Sequence, residues 1–152
     1  VFSNSHHINE SMEILHASMD PRYKPDYNDP INMFKFWFGI EAENKITRAN
    51  NFMMSSGVIY RLKLHNEIGI PDLDEFEGAA DFEYWSRVLF NEKKCKYISE
   101  PNWFYMKSQY TAANEIIDGK SNGEYWLQLA IEKVKNKYNE LWKEKELQEA
   151  KY

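Results

Sequence analysis

Asp81 is the side chain of this sequence best placed to do chemistry. It stands at the start of a predicted amphipathic helix in which Phe82, Trp85 and Leu89 recur at helical spacing. The partial positive charge at a helix N-terminus favours the ionised carboxylate, and a carboxylate can take a proton from a hydroxyl group within hydrogen-bond reach. The position also suits a plain first-turn acid or N-cap, so the local sequence leaves both interpretations open.

The segments on either side of this helix must position it. An apolar run with small residues at its centre, Asn51 to Arg61, is typical of a buried strand that something approaches closely. A short helix ended by Gly69 follows. Beyond the Asp81 helix, Cys95 to Pro101 alternates like a half-buried strand, which Trp103 to Tyr105 continues. This order predicts a mixed α/β unit.

The same order of elements resembles the acceptor-binding half of family 2 glycosyltransferases of the GT-A type. In that family, small residues and an arginine precede a glycine-ended helix, the motif E-D-x-[DE]-[LY]-x-x-R, a basic strand K-x-x-Y-[IV]-x-x-P and an aromatic segment. The corresponding segments here are Ser55 to Arg61, Glu67 to Asp72, Ala80 to Arg87, Lys94 to Pro101 and Trp103 to Tyr105. One departure is Ala80, which stands where the family usually has a glutamate before its catalytic aspartate.

The resemblance implies a fold and a division of the chain. It implies a partial GT-A-like mixed sheet with flanking helices, in which residues 1–110 form the acceptor-side portion. The strand that opens the match would be Val1 to Asn9. Residues 111–152 would be a linker followed by a long helix.

The resemblance also implies an activity and a set of site residues. The full protein would transfer a sugar from a nucleotide-sugar donor to a carbohydrate or another hydroxyl acceptor, with Asp81 as general base. Arg87 would hold the helix in place or contact the acceptor or the diphosphate. Trp103 or Tyr105 would border the acceptor cleft, with Trp103 the preferred exposed stacking residue, although core packing is the alternative for any single aromatic residue. The implied substrate-binding residues are Ser55, Ser56, Gly57, Arg87, Trp103 and Tyr105.

A donor-binding half with an Asp-x-Asp metal site is not evident in this sequence. The literal match, Asp72-Leu73-Asp74, does not follow an apolar strand and lies in an acidic loop, so we assign it no metal. A divalent ion, Mn²⁺ or Mg²⁺, is then expected in the full protein mainly through residues outside this chain. We therefore expect a C-terminal portion of a longer protein that is inactive by itself.

The composition of the chain limits which other classes of protein and partner are plausible. The chain has 152 residues, of which 43% are hydrophobic, which suits one domain or a large part of one. A net charge of -5 argues against nucleic-acid partners, and the lysines from Lys93 to Lys96 are interpreted as solvated helix surface. The mean hydropathy of -0.72 and the lack of a long apolar run argue against a transmembrane segment. A single cysteine, Cys95, suits a reducing compartment, so we expect a cytoplasmic location.

Three further helices and three of the four histidines complete the predictions. A long helix from Glu124 to Glu149 carries a heptad-like apolar stripe that favours docking on the domain, with self-association as the alternative. A second helix is predicted from Ile31 to Ile40. A third, from Ile8 to Met19, would carry His16. The adjacent pair His6-His7 would point to opposite faces of a strand and cannot readily share a metal ion.

Two other hypotheses remain open. A non-catalytic carbohydrate-binding or structural interaction domain that retains the fold is favoured by Ala80 and by the missing donor half. A helical and aromatic interaction module with an accidental resemblance would instead make Met53 to Ile59 helical.

Overall fold

The computed structural model describes residues 1–17, 28–40, 53, 55–106, 116–117 and 120–149. The described strands are β1 (Phe2–Ser3), β2 (His6–Ile8), β3 (Ile14–Ala17), β4 (Tyr97–Ile98), β5 (Phe104–Met106), β6 (Ile116–Ile117) and β7 (Lys120–Ser121). The described helices are α1 (Pro30–Phe38), α2 (Lys63–Ile68), α3 (Leu73–Phe76), α4 (Ala80–Phe90) and α5 (Asn122–Glu149). The fold is therefore mixed α/β, with small sheets and a long C-terminal helix.

Two short parallel pairings form the centre of the sheet structure. Strand β1 pairs with β4 and strand β2 pairs with β5, both in parallel. The backbone of Asn4 links the pairings, because its amide donates to Ile98 at 3.1 Å and its carbonyl accepts from Asn102 at 3.3 Å. Parallel neighbours need a crossover, and α1 to α4 lie in that connection. Asp81 therefore lies, in the sequence, between the two strands of each parallel pair.

The predicted helix from Ile8 to Met19 is wrong over residues 8–17, and residues 18 and 19 lie outside the described residues. Residues 9–13 form a turn, and β3 returns antiparallel to β2, with His16 opposite His7 in the register. The side chain of Asn9 accepts from the amide of Glu13 at 2.9 Å, and Met12 has a φ of 64°. A positive φ at a non-glycine residue cannot continue a right-handed helix.

The predicted strand between residues 51 and 61 is also wrong where it can be judged. Ser55–Gly57 form a single 3₁₀ turn, and Val58 makes an isolated antiparallel bridge with Phe2. Residues 51, 52 and 54 lie outside the described residues. The segment is not a helix from Met53 to Ile59 either, since its helical turn ends at Gly57.

Helix α1 forms where it is predicted, and both of its ends carry capping signals. Asp29 caps its N-terminus by accepting from the amides of Ile31 at 2.9 Å and Asn32 at 3.2 Å. Pro30 occupies the first helical position, and Gly39 ends the helix with a φ of 57°. These are the residues that a helix of this length needs at its two ends.

Aromatic side chains from α1, α4 and α5 fill one core. Trp37 stacks on Phe82 with ring centroids 5.0 Å apart, and its indole N–H donates to the hydroxyl of Ser86 at 2.9 Å. Phe34 stacks on Trp142 at 5.2 Å. The docking prediction for the C-terminal helix is confirmed, because Val134, Tyr138 and Trp142 are buried in this core.

A buried carboxylate joins α4 to its neighbours. Glu83 is completely buried, and its Oε1 accepts from Lys137 at 2.8 Å and from the hydroxyl of Tyr138 at 3.0 Å, both on α5. Arg87 makes an ion pair with the same carboxylate. The Arg87 guanidinium also donates to the carbonyl of Ile68 at 2.8 Å, at the end of α2. This network holds α2, α4 and α5 in one arrangement.

Within the described parts of the chain, no helix combines the length and the apolar character needed to cross a membrane.

Replacing Glu83 with alanine should destabilise the fold strongly. Removing the buried carboxylate leaves the partly exposed Lys137 and Arg87 without their counter-ion and the buried hydroxyl of Tyr138 without its acceptor, which costs at least about 2 kcal/mol of unfolding free energy. Urea denaturation would measure the loss. The matched control is Glu132→Ala, since Glu132 lies on a helix and pairs only at the surface with Lys135. We expect that control to change stability by less than about 1 kcal/mol. Equal effects of the two substitutions would contradict the assignment.

The Glu83 network should also make the free energy of unfolding depend on pH. Burial by itself raises the pKa of Glu83, but the hydrogen bonds from Arg87 and Lys137 outweigh it and lower the pKa below its usual 4.5. Because the folded pKa lies below the unfolded one, the stabilisation is complete above the unfolded pKa and is lost as the pH falls through the folded pKa. Unfolding free energies measured from about pH 7 to about pH 3 should therefore fall more steeply for the wild type than for Glu83→Gln. Parallel curves would rule out this contribution.

Candidate functional site

Asp81 lies in the first turn of α4 with its carboxylate half-buried. Its Oδ2 accepts from the hydroxyl of Ser55 at 2.9 Å, and its Oδ1 accepts from the amide of Phe82 at 2.7 Å. An ionised carboxylate has about four acceptor positions, so these two bonds leave capacity for another donor. The carboxylate is thus oriented by the protein and still partly open.

Ser55 connects Asp81 to an aromatic wall. The indole N–H of Trp85 points to the hydroxyl oxygen of Ser55 at 3.4 Å. Trp85 lies one helical turn after Asp81, so both side chains are on the same side of α4. The hydroxyl of Ser55 donates to the carboxylate and accepts from the indole, which fixes the relative positions of all three groups.

Trp85 is held in place by neighbouring rings. Tyr84 lies at 5.0 Å and Tyr60 at 5.5 Å between ring centroids, both roughly edge-on. Burial raises the pKa of Tyr84 to about 12, so its phenol stays protonated and neutral at physiological pH. The wall beside Asp81 is therefore rigid and uncharged.

Gly57 allows Trp103, the aromatic residue preferred as a stacking candidate, to approach the turn that holds Ser55. A Cβ atom at Gly57 would lie 2.3 Å from Nε1 of Trp103, so the indole fits only because glycine has no side chain. Trp103 is half-buried, and no described residue accepts its indole N–H. Tyr105 contacts it at 6.3 Å with the two rings perpendicular.

The predicted site residues divide into two groups. Ser55 and Asp81 share a hydrogen bond, while Gly57, Trp103 and Tyr105 contact one another through the indole. Ser56 is exposed in the turn between Ser55 and Gly57. Arg87 lies apart from both sets, because its guanidinium is engaged by Glu83 and by the carbonyl oxygens of Ile68 and Ile70. In this structure Arg87 holds helices together.

A cavity of about 610 Å³ lies next to this cluster and was not predicted. Trp85 is part of its wall, whereas none of the predicted site residues lines it. Its rim includes Lys93, Lys94 and Lys96, which precede β4 and are not on a helix surface. Their clustering in the sequence was the available signal, but only the fold brings Arg61 to the same cavity.

The two aspartates of the literal Asp-x-Asp match, Asp72 and Asp74, lie between α2 and α4. Asp72 accepts from the amide of Glu75 at 2.8 Å and so caps α3, while Asp74 is exposed. Among the residues that the structure describes, no three histidine, cysteine or acidic side chains are grouped so that they could hold a metal ion. Accordingly, no chemical step is assigned to a metal held by these residues.

Adding a methyl group at Gly57 should disturb the contact with Trp103. We expect Gly57→Ala to destabilise the protein by about 1–3 kcal/mol, because the indole must move out of a tightly packed position. The near-ultraviolet circular dichroism of the tryptophans should change with it. Gly78→Ala is the control, since a Cβ at Gly78 meets no atom within 4 Å. If Gly57→Ala were as stable as Gly78→Ala, the close packing would not exist in solution.

Comparison of this chain with protein-family models, with curated proteins and with solved structures found no significant match. The resemblance to family 2 glycosyltransferases therefore rests on the sequence motifs quoted above alone.

Proposed function

We propose that this chain is the acceptor-binding portion of a sugar transferase and that Asp81 acts as the general base. The observation that carries the proposal is the hydrogen bond of 2.9 Å between Ser55 and Asp81. It joins two residues 26 positions apart that the motif resemblance had independently assigned to one site. The carboxylate remains half-exposed, as a base that meets a substrate must be.

The proposed reaction needs little more than a positioned carboxylate. The acceptor hydroxyl gives its proton to Asp81 as its oxygen forms a bond to the anomeric carbon of the donor sugar. The bond from that carbon to the diphosphate oxygen breaks, and the nucleotide diphosphate leaves with the bonding electrons. The hydroxyl of Ser55 fixes the rotamer of Asp81, which keeps the accepting oxygen in one place.

The aromatic residues around Asp81 suit a carbohydrate acceptor. Sugar rings present apolar C–H faces that pack on indole rings, and the half-buried Trp103 lies against the turn at Ser55–Gly57. Trp85 is buried and supports that turn through its bond to Ser55. The Nε1 of Trp103 is buried beside Gly57, so this indole would meet a sugar through its partly exposed ring and not through its N–H. We further propose that the donor, its divalent ion and its diphosphate are held mainly by residues outside this chain, in a cytoplasmic protein.

A second candidate is a carbohydrate-binding or structural interaction domain that retains the fold without catalysis. The observation that favours it is the burial of Ala80, which is only 2% exposed. A glutamate at that position, as the resembling family has, would place a charge in the core, so this helix has adapted to a single carboxylate. Such a domain would bind sugars through the aromatic residues and would not turn over a donor.

Asp81→Asn separates the two candidates. In a protein that contains both this chain and a donor-binding half, the substitution should lower transferase turnover by about 10²- to 10⁴-fold, because the base is lost while the shape of the side chain is kept. Turnover would be measured with labelled nucleotide sugars and Mn²⁺. The control is Asp74→Asn, which removes an exposed carboxylate from α3 and should leave turnover unchanged.

Calorimetry of the same variants with carbohydrate acceptors supplies the second readout. Under the catalytic proposal, Asp81→Asn retains acceptor binding and loses turnover. Sugar binding without turnover in the wild type would favour the non-catalytic domain. Full turnover in Asp81→Asn would end the assignment of the base.

A further inference from the structure

The cavity of about 610 Å³ beside Trp85 has the size of a small-molecule site. Its inner surface is apolar and well packed, since Phe2, Met53, Trp85 and Val88 line it and are each at most 5% exposed. Such a surface favours an apolar group that leaves water. A ligand for this cavity should therefore carry an alkyl or aromatic portion.

The rim of the cavity has the opposite character. Five cationic side chains line it against one acidic side chain, Glu67. The cationic residues are Arg61, Lys63, Lys93, Lys94 and Lys96. This concentration of positive charge is notable in a chain with a net charge of -5. Charge of one sign around a cavity with apolar walls attracts a ligand of the other sign.

Glu67 neutralises only part of this charge. Its carboxylate pairs with Lys93 at 2.8 Å and lies 3.6 Å from Lys63, and these partners lower the pKa of Glu67. Within the described part of the chain, the side chains of Arg61, Lys94 and Lys96 have no acidic partner. Arg61 precedes α2, whereas the two lysines precede β4, so free cations reach the cavity from two separate segments.

We propose that this cavity binds an organic phosphate, with its apolar portion against Trp85 and Val88 and its phosphate on Arg61 and Lys96. A guanidinium group can hold two phosphate oxygens at once, and a lysine adds a point charge. The required chemistry is a phosphate monoester on an aromatic or alkyl group, which either a soluble metabolite or a membrane lipid could supply. The site shares the buried Trp85 with the surroundings of Asp81 but uses no group that the proposed reaction needs, so the test of one proposal does not decide the other.

Calorimetry with 1-naphthyl phosphate tests the proposal, with 1-naphthol and inorganic phosphate as probes that lack one half of the ligand. The aryl phosphate should bind one-to-one, and each partial probe should bind at least about tenfold more weakly, since it forfeits either the charge-assisted hydrogen bonds or the apolar contact. Vesicles that contain phosphatidic acid, examined by sedimentation, form the arm for a lipid source. Cys95 lines the cavity and is the single cysteine, so bound ligand should slow its modification by a thiol reagent.

The double variant Arg61→Gln, Lys96→Gln decides the outcome. Both side chains are exposed, so the variant should fold, and its circular dichroism checks that it does. It should weaken binding of the aryl phosphate, or of the vesicles, by at least about tenfold, whereas Lys143→Gln removes an exposed charge from α5 and should have no effect. If the double variant weakens the binding of 1-naphthyl phosphate, the site is supported with a soluble ligand as its source. If it weakens the binding of the vesicles, the site is supported with a membrane lipid as its source. The proposal is overturned if wild type and double variant bind equally well, or if 1-naphthol binds as tightly as 1-naphthyl phosphate. It is also overturned if neither 1-naphthyl phosphate nor the vesicles bind.

Discussion

The buried carboxylate of Glu83 sets the orientation of α4, and the position of Asp81 follows from that orientation. Glu83 is fixed toward α5 by Lys137 and Tyr138. Successive residues of an α-helix are about 100° apart, so Asp81, two residues earlier, must face about 200° away from Glu83. That direction leads to the turn at Ser55–Gly57. A buried carboxylate with partly exposed cationic partners thereby determines where the half-buried carboxylate of Asp81 lies.

The remaining faces of α4 obey the same geometry. Phe82 and Ser86 are four residues apart and both contact Trp37 of α1, through a ring stack and a hydrogen bond. Asp81 and Trp85, also four apart, share the candidate site. A helix of eleven residues thus packs against α1 on one side, binds α5 on a second and presents the site on a third. Because these contacts lie on different sides of α4, the helix cannot rotate about its axis without breaking core contacts, and the site is held in place.

The sequence predicts the parts of this structure that depend on local signals. Helix α1 is predictable because Asp29, Pro30 and Gly39 specify both of its ends. The turn after β2 is not, because Ile8, Met12 and Leu15 fit a helical period while the positive φ of Met12 is set by the hairpin. The 3₁₀ turn at Ser55–Gly57 is likewise shaped by the indole of Trp103, which comes from a distant segment.

The site residues also differ in whether a local sequence signal or a long-range contact determines them. Asp81 can be found from its place at a helix start, and the small residues at 55–57 from their composition. The burial of Glu83 depends on α5, about 55 residues away, and the structural use of Arg87 depends on the carbonyls of Ile68 and Ile70, so no local pattern reveals them. The cationic rim depends on the approach of Arg61 to the lysines before β4. Long-range contacts of this kind are fixed by the packed core and not by propensity.

The central claim is that the carboxylate of Asp81, oriented by Ser55, meets a carbohydrate acceptor in the neighbourhood of Trp85 and Trp103. The most direct measurement is a titration of the ¹⁵N-labelled chain with a panel of oligosaccharide acceptors, monitored through the indole N–H signals of its tryptophans. The account predicts that the signals of Trp85 and Trp103 shift together and saturate, while that of Trp37, bonded to Ser86 in the core, stays in place. Shifts at Trp37 equal to those at Trp103, or no saturable shift at either Trp85 or Trp103, would contradict it.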